Sequence, residues 1–253
     1  MGFTTVNRSS LEKITTESNG CALFLRLFLK RDAESGLLTD LMQKKLLIFD
    51  LDGTLADTRA DLATGINRMR NHYGLPPLSL ETIEGFVGDG VRVLVQRSLQ
   101  GADVPIDEAV VVNRGFYLEH MLDKTVLYPG VAEGLNRLAS AGHALAVLSN
   151  KPGEPSRTIL KHLGVDHLFF RVIGGGDVPR LKPEPDGVLA LMAEAGISTG
   201  HTWMLGDHHT DLEVAHRTGI SSGFVTYGIG HPGNFTADQI WNEFSELVEF
   251  LIN

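Results

Sequence analysis

The chain has 253 residues, which is enough for one α/β domain together with a smaller one. Its formal net charge of −9, with no block of lysine and arginine, argues against general nucleic-acid binding but leaves room for a local anion site. A single cysteine, Cys21, excludes a disulfide within the chain and fits a reducing compartment, so we expect a cytoplasmic protein.

The first 43 residues differ in composition from the rest of the chain. A polar, Ser/Thr-rich segment precedes a short apolar stretch that Arg26 interrupts. The stretch is too short to cross a membrane, and the acidic residues before it do not suit a signal peptide. We therefore interpret residues 1–43 as an N-terminal extension of unknown role without membrane association, and Met42 as an alternative start.

The segment Leu46 to Thr54, LLIFDLDGT, organises the remainder of the chain. An unbroken apolar run of strand length ends on Asp50, and Asp52 follows two residues later. Such a run is typical of a central strand in a parallel sheet that helices cover on both faces. Ligand crevices lie beyond the carboxyl ends of such strands, so we expect both carboxylates at the edge of a crevice.

Residues 59–124 have a helical pattern without any strand-like run. The apolar spacing predicts helices near 60–73, 81–86 and 110–122 and a further one that begins at Val91, and Gly88-Asp89-Gly90 interrupts the series. This pattern predicts a small helical cap inserted after the first strand, joined near Asp57-Thr58 and near Thr125-Val126. Residues 44–58 and 125–253 would then form the core domain.

After residue 125 the pattern alternates between strands and helices. The predicted strands are 144–148, 169–173, 202–205 and 222–226, and the predicted helices are 130–141, 155–163, 187–195, 212–218 and 244–251. This alternation implies right-handed crossovers, so the predicted fold class is α/β with a doubly wound parallel sheet.

Polar residues follow three of the apolar strands, and Lys182 lies in a loop between the last two of these strand ends. Strand ends of a parallel sheet converge, so these groups are expected to form one site. Clustered carboxylates suit Mg²⁺, and a lysine with a hydroxyl and free amide N–H groups suits phosphoryl oxygens. A carboxylate held between them can attack phosphorus, and a neighbouring acid can protonate the leaving oxygen. The residues themselves therefore favour phosphoryl transfer.

Four motifs resemble, in order, the signature of the haloacid dehalogenase superfamily: Asp50-Leu51-Asp52-Gly53-Thr54, Ser149-Asn150, Lys182-Pro183 and Gly206-Asp207 with Asp211. The helical insert resembles the cap of that superfamily, which has a Rossmann-type core. Other phrases look like the phosphoglycolate phosphatase family: Val87-Gly88-Asp89-Gly90-Val91, Tyr128-Pro129-Gly130-Val131, Val172-Ile173-Gly174-Gly175 and Thr226-Tyr227-Gly228.

The resemblance implies catalytic and metal-binding roles. Asp50 would be the nucleophile and a Mg²⁺ ligand. Asp52 would be the general acid/base and would offer its backbone carbonyl to the metal. Asp207 would complete the metal site, and Asp211 would orient these groups without touching the ion. Lys182 would neutralise charge on the nucleophile and on the phosphoryl group.

The resemblance also implies a phosphate-binding set, in which Ser149 and Asn150 join Lys182. Gly53 would permit the turn after the nucleophile, and Thr54 would support the acid/base residue beside the phosphoryl group. The acid at Asp52 is what a phosphatase needs and a carbon–halogen hydrolase does not, so dehalogenation is disfavoured.

Other residues have weaker assignments. In the cap, Gly88 and Gly90 are candidates for contact with a substrate anion, and Arg92 is a candidate for a substrate carboxylate or for a surface role. His208 stands where the superfamily often has serine. With His209 beside it, a transition-metal site is conceivable, although the aspartates already supply a hard oxygen shell.

These observations together predict a Mg²⁺-dependent phosphomonoesterase acting on a small phosphorylated metabolite, with 2-phosphoglycolate the leading substrate. A cap that closes over the sheet excludes water and limits substrate size. Within the superfamily, a pyrophosphatase, a nucleotidase or a sugar-phosphate mutase remain alternatives. A non-catalytic regulatory or binding module is the alternative from a different class, and the sequence leaves the oligomeric state open.

Overall fold

The computed structural model describes residues 44–253. The interpretation of residues 1–43 as an extension, and of Met42 as a start, falls outside these described residues. No helix within residues 44–253 is both long enough and apolar enough to cross a membrane.

The core is a six-stranded sheet in which every neighbouring pair is parallel. Its strands are β1 (Leu46–Phe49), β4 (Ala144–Pro152), β5 (Arg171–Gly175), β6 (Thr202–Gly206), β7 (Ser221–Val225) and β8 (Gln239–Trp241). The order is β5-β4-β1-β6-β7-β8, which puts β1 between β4 and β6. All four residues of β1 are fully buried, because helices cover both faces of the sheet.

The helices of the core pack on opposite faces of this sheet. They are α5 (Val131–Ser140), α6 (Gly153–His162), α7 (Asp186–Ala195), α8 (His209–Thr218) and α9 (Phe244–Ile252). Leu47 and Phe49 belong to one apolar cluster with α5, α6 and α9, whereas Leu46 and Ile48 belong to another with α7 and α8. Alternate side chains of a strand point to opposite faces, so β1 contributes to both clusters. The predicted doubly wound α/β fold is confirmed.

Four helices lie between β1 and the rest of the sheet along the chain: α1 (Arg59–His72), α2 (Leu80–Glu84), α3 (Val91–Leu99) and α4 (Ile106–His120). They share a separate apolar cluster that includes Ile66, Ile83, Val95 and Tyr117. The predicted helical insert is therefore present, although α4 begins at Ile106 and not near Val110.

Two short antiparallel strands, β2 (Ala56–Asp57) and β3 (Val126–Leu127), connect this helical cap to the core. Asp57 pairs with Val126, at the two positions where the sequence placed the junctions. The pairing itself was not predicted, because strands of two residues carry no periodic signal.

Two element boundaries that matter for the site differ from prediction. Strand β4 does not end at Leu148 but continues to Pro152, so the polar residues after Leu148 are held in the sheet. Helix α8 begins at His209 and not near Leu212. His208 is its N-cap: the ring accepts a hydrogen bond from the Thr210 N–H, and the Asp211 carboxylate accepts one from the His208 N–H.

Candidate active site

A cavity of about 100 Å³ lies between the carboxyl ends of the central strands and the helical cap. The core contributes Asp50, Asp52, Ser149, Asn150, Lys151, Asp207 and His208 to its lining. The cap contributes Gly88, Gly90, Asn113, Arg114, Tyr117 and several apolar side chains. The strand ends thus converge on one crevice, as expected for a parallel sheet.

Lys182 bridges two aspartates behind the lining of this crevice, of which Asp50 reaches the cavity itself. Its Nζ lies 2.9 Å from Asp50 Oδ1 and 2.6 Å from Asp211 Oδ1, and all three side chains are nearly inaccessible. Burial raises the pKa of Asp50 above its ordinary value, and the positive charge of Lys182 opposes that rise. Burial would lower the pKa of Lys182, but Asp211 and Asp50 raise it, so the lysine stays charged.

Asp207 is held by three donors around its carboxylate. Thr54 Oγ1 donates to Oδ1 at 2.8 Å, and the N–H groups of Ile229 and Gly230 donate to Oδ2 at 2.9 and 2.8 Å. Burial, followed by the negative charges of Asp50 and Asp211, raises the pKa of Asp207 to about 7. The carboxylate is therefore fixed in place although like charges surround it.

The donor set around Asp207 fits a divalent cation. Carboxylate oxygens of Asp50, Asp207 and Asp211 lie within 4.8 Å of one another. Gly53 has a φ of +89°, and a Cβ there would lie 2.2 Å from Asp207 Oδ2, so only glycine lets the backbone approach this closely. All the available ligands are oxygens, which Mg²⁺ prefers, and a cation would offset their mutual repulsion.

Asp52 is anchored separately from this trio. Thr58 Oγ1 donates to its Oδ1 at 2.6 Å, and Lys151 Nζ lies 3.0 and 3.1 Å from its two oxygens. Lys151 Nζ also lies 4.7 Å from the ring centroid of Tyr117 in the cap. Burial would lower the pKa of Lys151, but Asp52 and then Tyr117 raise it above its ordinary value.

Lys151 was missed in the sequence, although it directly follows the Ser149-Asn150 motif. Strand β4 continues to Pro152, so Lys151 is a lysine within a buried strand. A buried lysine requires an acidic partner, and this is the signal that could have identified it. The predicted strand ended at Leu148, so nothing in the sequence indicated that Lys151 is buried.

Ser149 and Asn150 both reach the crevice, but they are engaged differently. Ser149 lines the cavity beside Asp50, and its Oγ accepts a hydrogen bond from the Lys151 N–H at 3.3 Å. The Asn150 Nδ2 donates to the carbonyls of Gly88 and Lys182, both at 2.9 Å. Asn150 thereby connects the cap loop to the Lys182 loop, and its Oδ1 is buried with no partner among the described residues.

The cap candidates are not all at the cavity. Gly88 and Gly90 line it, whereas Arg92 does not: its side chain is 57 % exposed and pairs with Asp107. Arg92 lies on the side of α3 that faces solvent, so its side chain points away from the cavity. Arg114 on α4, which does line the cavity, is therefore the candidate in its place.

Helix α4 presents three polar side chains to the cavity that sequence reasoning did not single out: Asn113, Arg114 and Tyr117. Asn113 Oδ1 and Tyr117 OH are buried and have no hydrogen-bond partner among the described residues. Arg114 Nη2 lies 3.0 Å from Glu154, and both of these side chains are largely exposed. Unpaired buried polar atoms are costly, so Asn113 and Tyr117 are suited to a ligand in the cavity.

Comparison with known proteins places this chain in a family. The model of the haloacid dehalogenase-like hydrolases matches residues 47–225. The chain belongs to this family.

Several similar proteins carry names that are more specific than the family. The chain is 34 % identical over 215 residues to a phosphoglycolate phosphatase of Chromobacterium violaceum, covering 83 % of this chain and 97 % of that protein. It is 35 % identical over 219 residues to a phosphoglycolate phosphatase of Colwellia psychrerythraea, covering 82 % and 97 %. A crystal structure from Haemophilus somnus, described as a predicted phosphoglycolate phosphatase, superposes with a TM-score of 0.77 at 33 % identity, covering 82 % of this chain and 98 % of that one.

Proposed function

We propose that this hydrolase is a Mg²⁺-dependent phosphomonoesterase that cleaves 2-phosphoglycolate through an aspartyl-phosphate on Asp50. The observation that carries the proposal is the meeting of Asp50, Lys182 and Asp207 at one point of the crevice, within reach of Ser149. A nucleophilic carboxylate, a fixed cationic side chain and an oxygen-ligand cluster are together what transfer of a phosphoryl group requires.

Each residue has a defined part in the reaction. Asp52 begins the cycle protonated. Asp50 attacks phosphorus, the P–O bond to the ester oxygen breaks, and Asp52 gives that oxygen its proton, which leaves the carboxylate that pairs with Lys151. Asp52 then takes a proton from a water molecule, which attacks the phosphoryl group on Asp50 and releases inorganic phosphate. The Asp52 carboxyl is thereby reloaded for the next substrate, and Lys182 balances the negative charge throughout.

Mg²⁺ bound by Asp50, Asp207 and the Asp52 carbonyl would neutralise phosphoryl charge as a Lewis acid. The Thr54 hydroxyl and the N–H groups of Ile229 and Gly230 fix the Asp207 carboxylate in the orientation that such a ligand needs. Lys151 and Thr58 fix the orientation of the Asp52 carboxyl by their contacts with its oxygens.

The cavity supports a small acidic substrate. A volume of about 100 Å³ suits a metabolite better than a phosphoprotein. Arg114 is a cation at its lining, and its pair with Glu154 is exposed and therefore weak enough for a substrate carboxylate to replace. The similarity to proteins named phosphoglycolate phosphatase supports the same substrate. With one cysteine in the chain, we place the enzyme in a reducing cytoplasm.

A panel of phosphate esters tests this proposal. We expect 2-phosphoglycolate to give the highest kcat/KM among 2-phosphoglycolate, p-nitrophenyl phosphate, a nucleoside monophosphate, a sugar phosphate and pyrophosphate. Asp50→Asn should remove hydrolysis of every ester while circular dichroism stays unchanged. Full turnover by that variant would refute the nucleophile, and a higher kcat/KM for another compound would refute the substrate. A phosphorylated sugar product, in place of free phosphate, would indicate a mutase.

A further inference from the structure

Three histidines gather beside the crevice: His208 and His209 at the start of α8, which follows β6, and His231 on the loop that follows β7. His208 Nε2 lies 3.2 Å from His209 Nδ1, and the ring of His231 is stacked on that of His209 at 5.5 Å with an interplanar angle of 4°. One ring nitrogen from each residue lies within 4.8 Å of the other two. We call His208, His209 and His231 the three-histidine cluster.

The spacing within this cluster fits nitrogen ligands of one metal ion. Two nitrogens that bind zinc at about 2.1 Å stand roughly 3.0–3.4 Å apart for octahedral and tetrahedral angles. The separation of 3.2 Å between His208 and His209 falls in this interval. His231 is exposed and, within residues 44–253, no hydrogen bond holds its ring. The ring can therefore turn out of its stack with His209 and point a nitrogen, already within 4.8 Å of the other two, to the same metal.

In His208 and His209, the ring nitrogen that would not bind the metal faces an oxygen atom that can hold the ring in place. His208 Nδ1 lies 3.1 Å from Thr210 Oγ1. When Nε2 binds a metal, Nδ1 carries the proton, so it gives up the N-cap hydrogen bond from the Thr210 N–H and donates to this hydroxyl oxygen instead. His209 Nε2 lies 3.8 Å from Asp89 Oδ1 in the cap loop. Metal-binding histidines usually donate their second N–H to a carboxylate or another oxygen, which fixes the ring and its tautomer.

The His208 ring is also held by backbone from two sides. A Cβ at Gly88 in the cap loop would lie 2.4 Å from this ring, and one at Gly230 would lie 2.9 Å from it. A simple hydrogen bond between His208 and His209 would account for two rings of the cluster. It would not account for the third ring. Asp89 Oδ2 pairs with Arg97 at 2.7 Å, which leaves Oδ1 facing His209.

We propose that the three-histidine cluster is a second metal site, which binds a borderline divalent transition ion such as Zn²⁺ or Ni²⁺. Imidazole nitrogen suits these ions, whereas the aspartate cluster suits Mg²⁺, so the two sites select by ligand type. His208, His209 and His231 supply three nitrogens, water completes the coordination, and Asp89 supports His209 from the cap. This site is independent of the hydrolysis proposed above.

Binding of the metal alone tests the proposal on the untagged full chain. Zn²⁺ is titrated calorimetrically in excess Mg²⁺, and Co²⁺ is followed by its visible absorption. Wild-type protein should bind one more equivalent than His209→Gln/His231→Gln, and single His231→Gln should weaken that equivalent at least about tenfold. Asp89→Asn should weaken it by about tenfold, the effect expected of a supporting carboxylate. His167→Gln, an exposed histidine outside the cluster, should change nothing.

The readout separates this site from the aspartate cluster. Asp207→Asn removes an oxygen ligand and should leave the equivalent that depends on His209 and His231 in place. If the double histidine variant binds Zn²⁺ and Co²⁺ with the stoichiometry and affinity of wild type, the proposal is overturned. His209 is partly exposed and His231 is exposed, so circular dichroism of the double histidine variant should show an unchanged fold.

Discussion

Lys151 Nζ lies 3.0 and 3.1 Å from the two carboxylate oxygens of Asp52, although the residues are 99 positions apart. Lys151 is at the end of β4 and Asp52 is just after β1, two neighbouring strands of the sheet. The pair is almost completely buried, and it fixes the residue that we propose as general acid/base.

Lys151→Met is expected to lower both stability and turnover. Removing one partner of a buried ion pair costs about 3–5 kcal/mol, and the freed Asp52 carboxyl loses its orientation. We expect kcat to fall at least about tenfold, because correctly placed general acid–base catalysis contributes about 10²–10⁴-fold. Lys161→Met, an exposed lysine on α6, should alter neither quantity. Wild-type kcat in the Lys151 variant, measured where it is folded, would refute a positioning role.

Arg114→Ala is expected to separate substrates. Loss of a charge-assisted contact worth about 1.5–3 kcal/mol should raise KM for 2-phosphoglycolate roughly 10- to 100-fold. KM for p-nitrophenyl phosphate, which has no carboxylate, should stay the same. Arg92→Ala is the matched control, since that cap arginine is exposed and lies outside the cavity. If Arg92→Ala has the larger effect on 2-phosphoglycolate, the assignment to Arg114 fails.

Chelation of divalent metal is expected to silence hydrolysis, and added Mg²⁺ should restore it. The physical reason is that Lys182 offsets only part of the negative charge of Asp50, Asp207 and Asp211, and the donors to Asp207 are all neutral, so a divalent cation is needed to offset the rest. Activity before and after EDTA and Mg²⁺, together with the melting temperature, measures both catalysis and binding. Unchanged hydrolysis in metal-free protein would contradict the proposed metal dependence.

Gly53→Ala and Gly74→Ala form a matched pair. Both glycines have positive φ, +89° and +69°, so each alanine should cost about 1–2 kcal/mol of stability. Only at Gly53 does the new Cβ meet Asp207, whereas Gly74 has open space. We expect the Mg²⁺-dependent activity to fall sharply in Gly53→Ala alone. Equal activities in the two variants would show that the close approach of Gly53 to Asp207 has no functional role.

His143 is expected to make stability depend on pH. Its Nδ1 accepts a hydrogen bond from the Lys45 N–H, and burial followed by the Lys45 charge lowers the pKa of His143 below 6.5. Below pH 6.5 the unfolded chain therefore binds more protons than the folded one, so stability is lost as the pH falls from 6.5 through the folded pKa. Urea unfolding at pH 7.5 and 5.5 should show a smaller loss in His143→Gln. Identical losses in both proteins would exclude this contribution.

Much of the molecule was determined by the sequence alone. The apolar run 46–49 ending on Asp50 specified a central parallel strand, because a strand with no polar face must be buried on both sides. The alternation after residue 125 and the helical spacing before it predicted the doubly wound core and the inserted cap. Motif spacing also predicted that Asp50, Lys182 and Asp207 would meet, since strand ends of one sheet converge.

Only the tertiary structure decided which further side chains face those strand ends. Lys151 pairs with Asp52, and His231 approaches His208 and His209, although the partners are distant in sequence. In the cap, Arg114 reaches the cavity whereas Arg92 does not. Helical periodicity gives the apolar face of a helix, but not the direction in which each polar residue points. That direction depends on how the cap packs over the sheet, which is a property of the assembled fold.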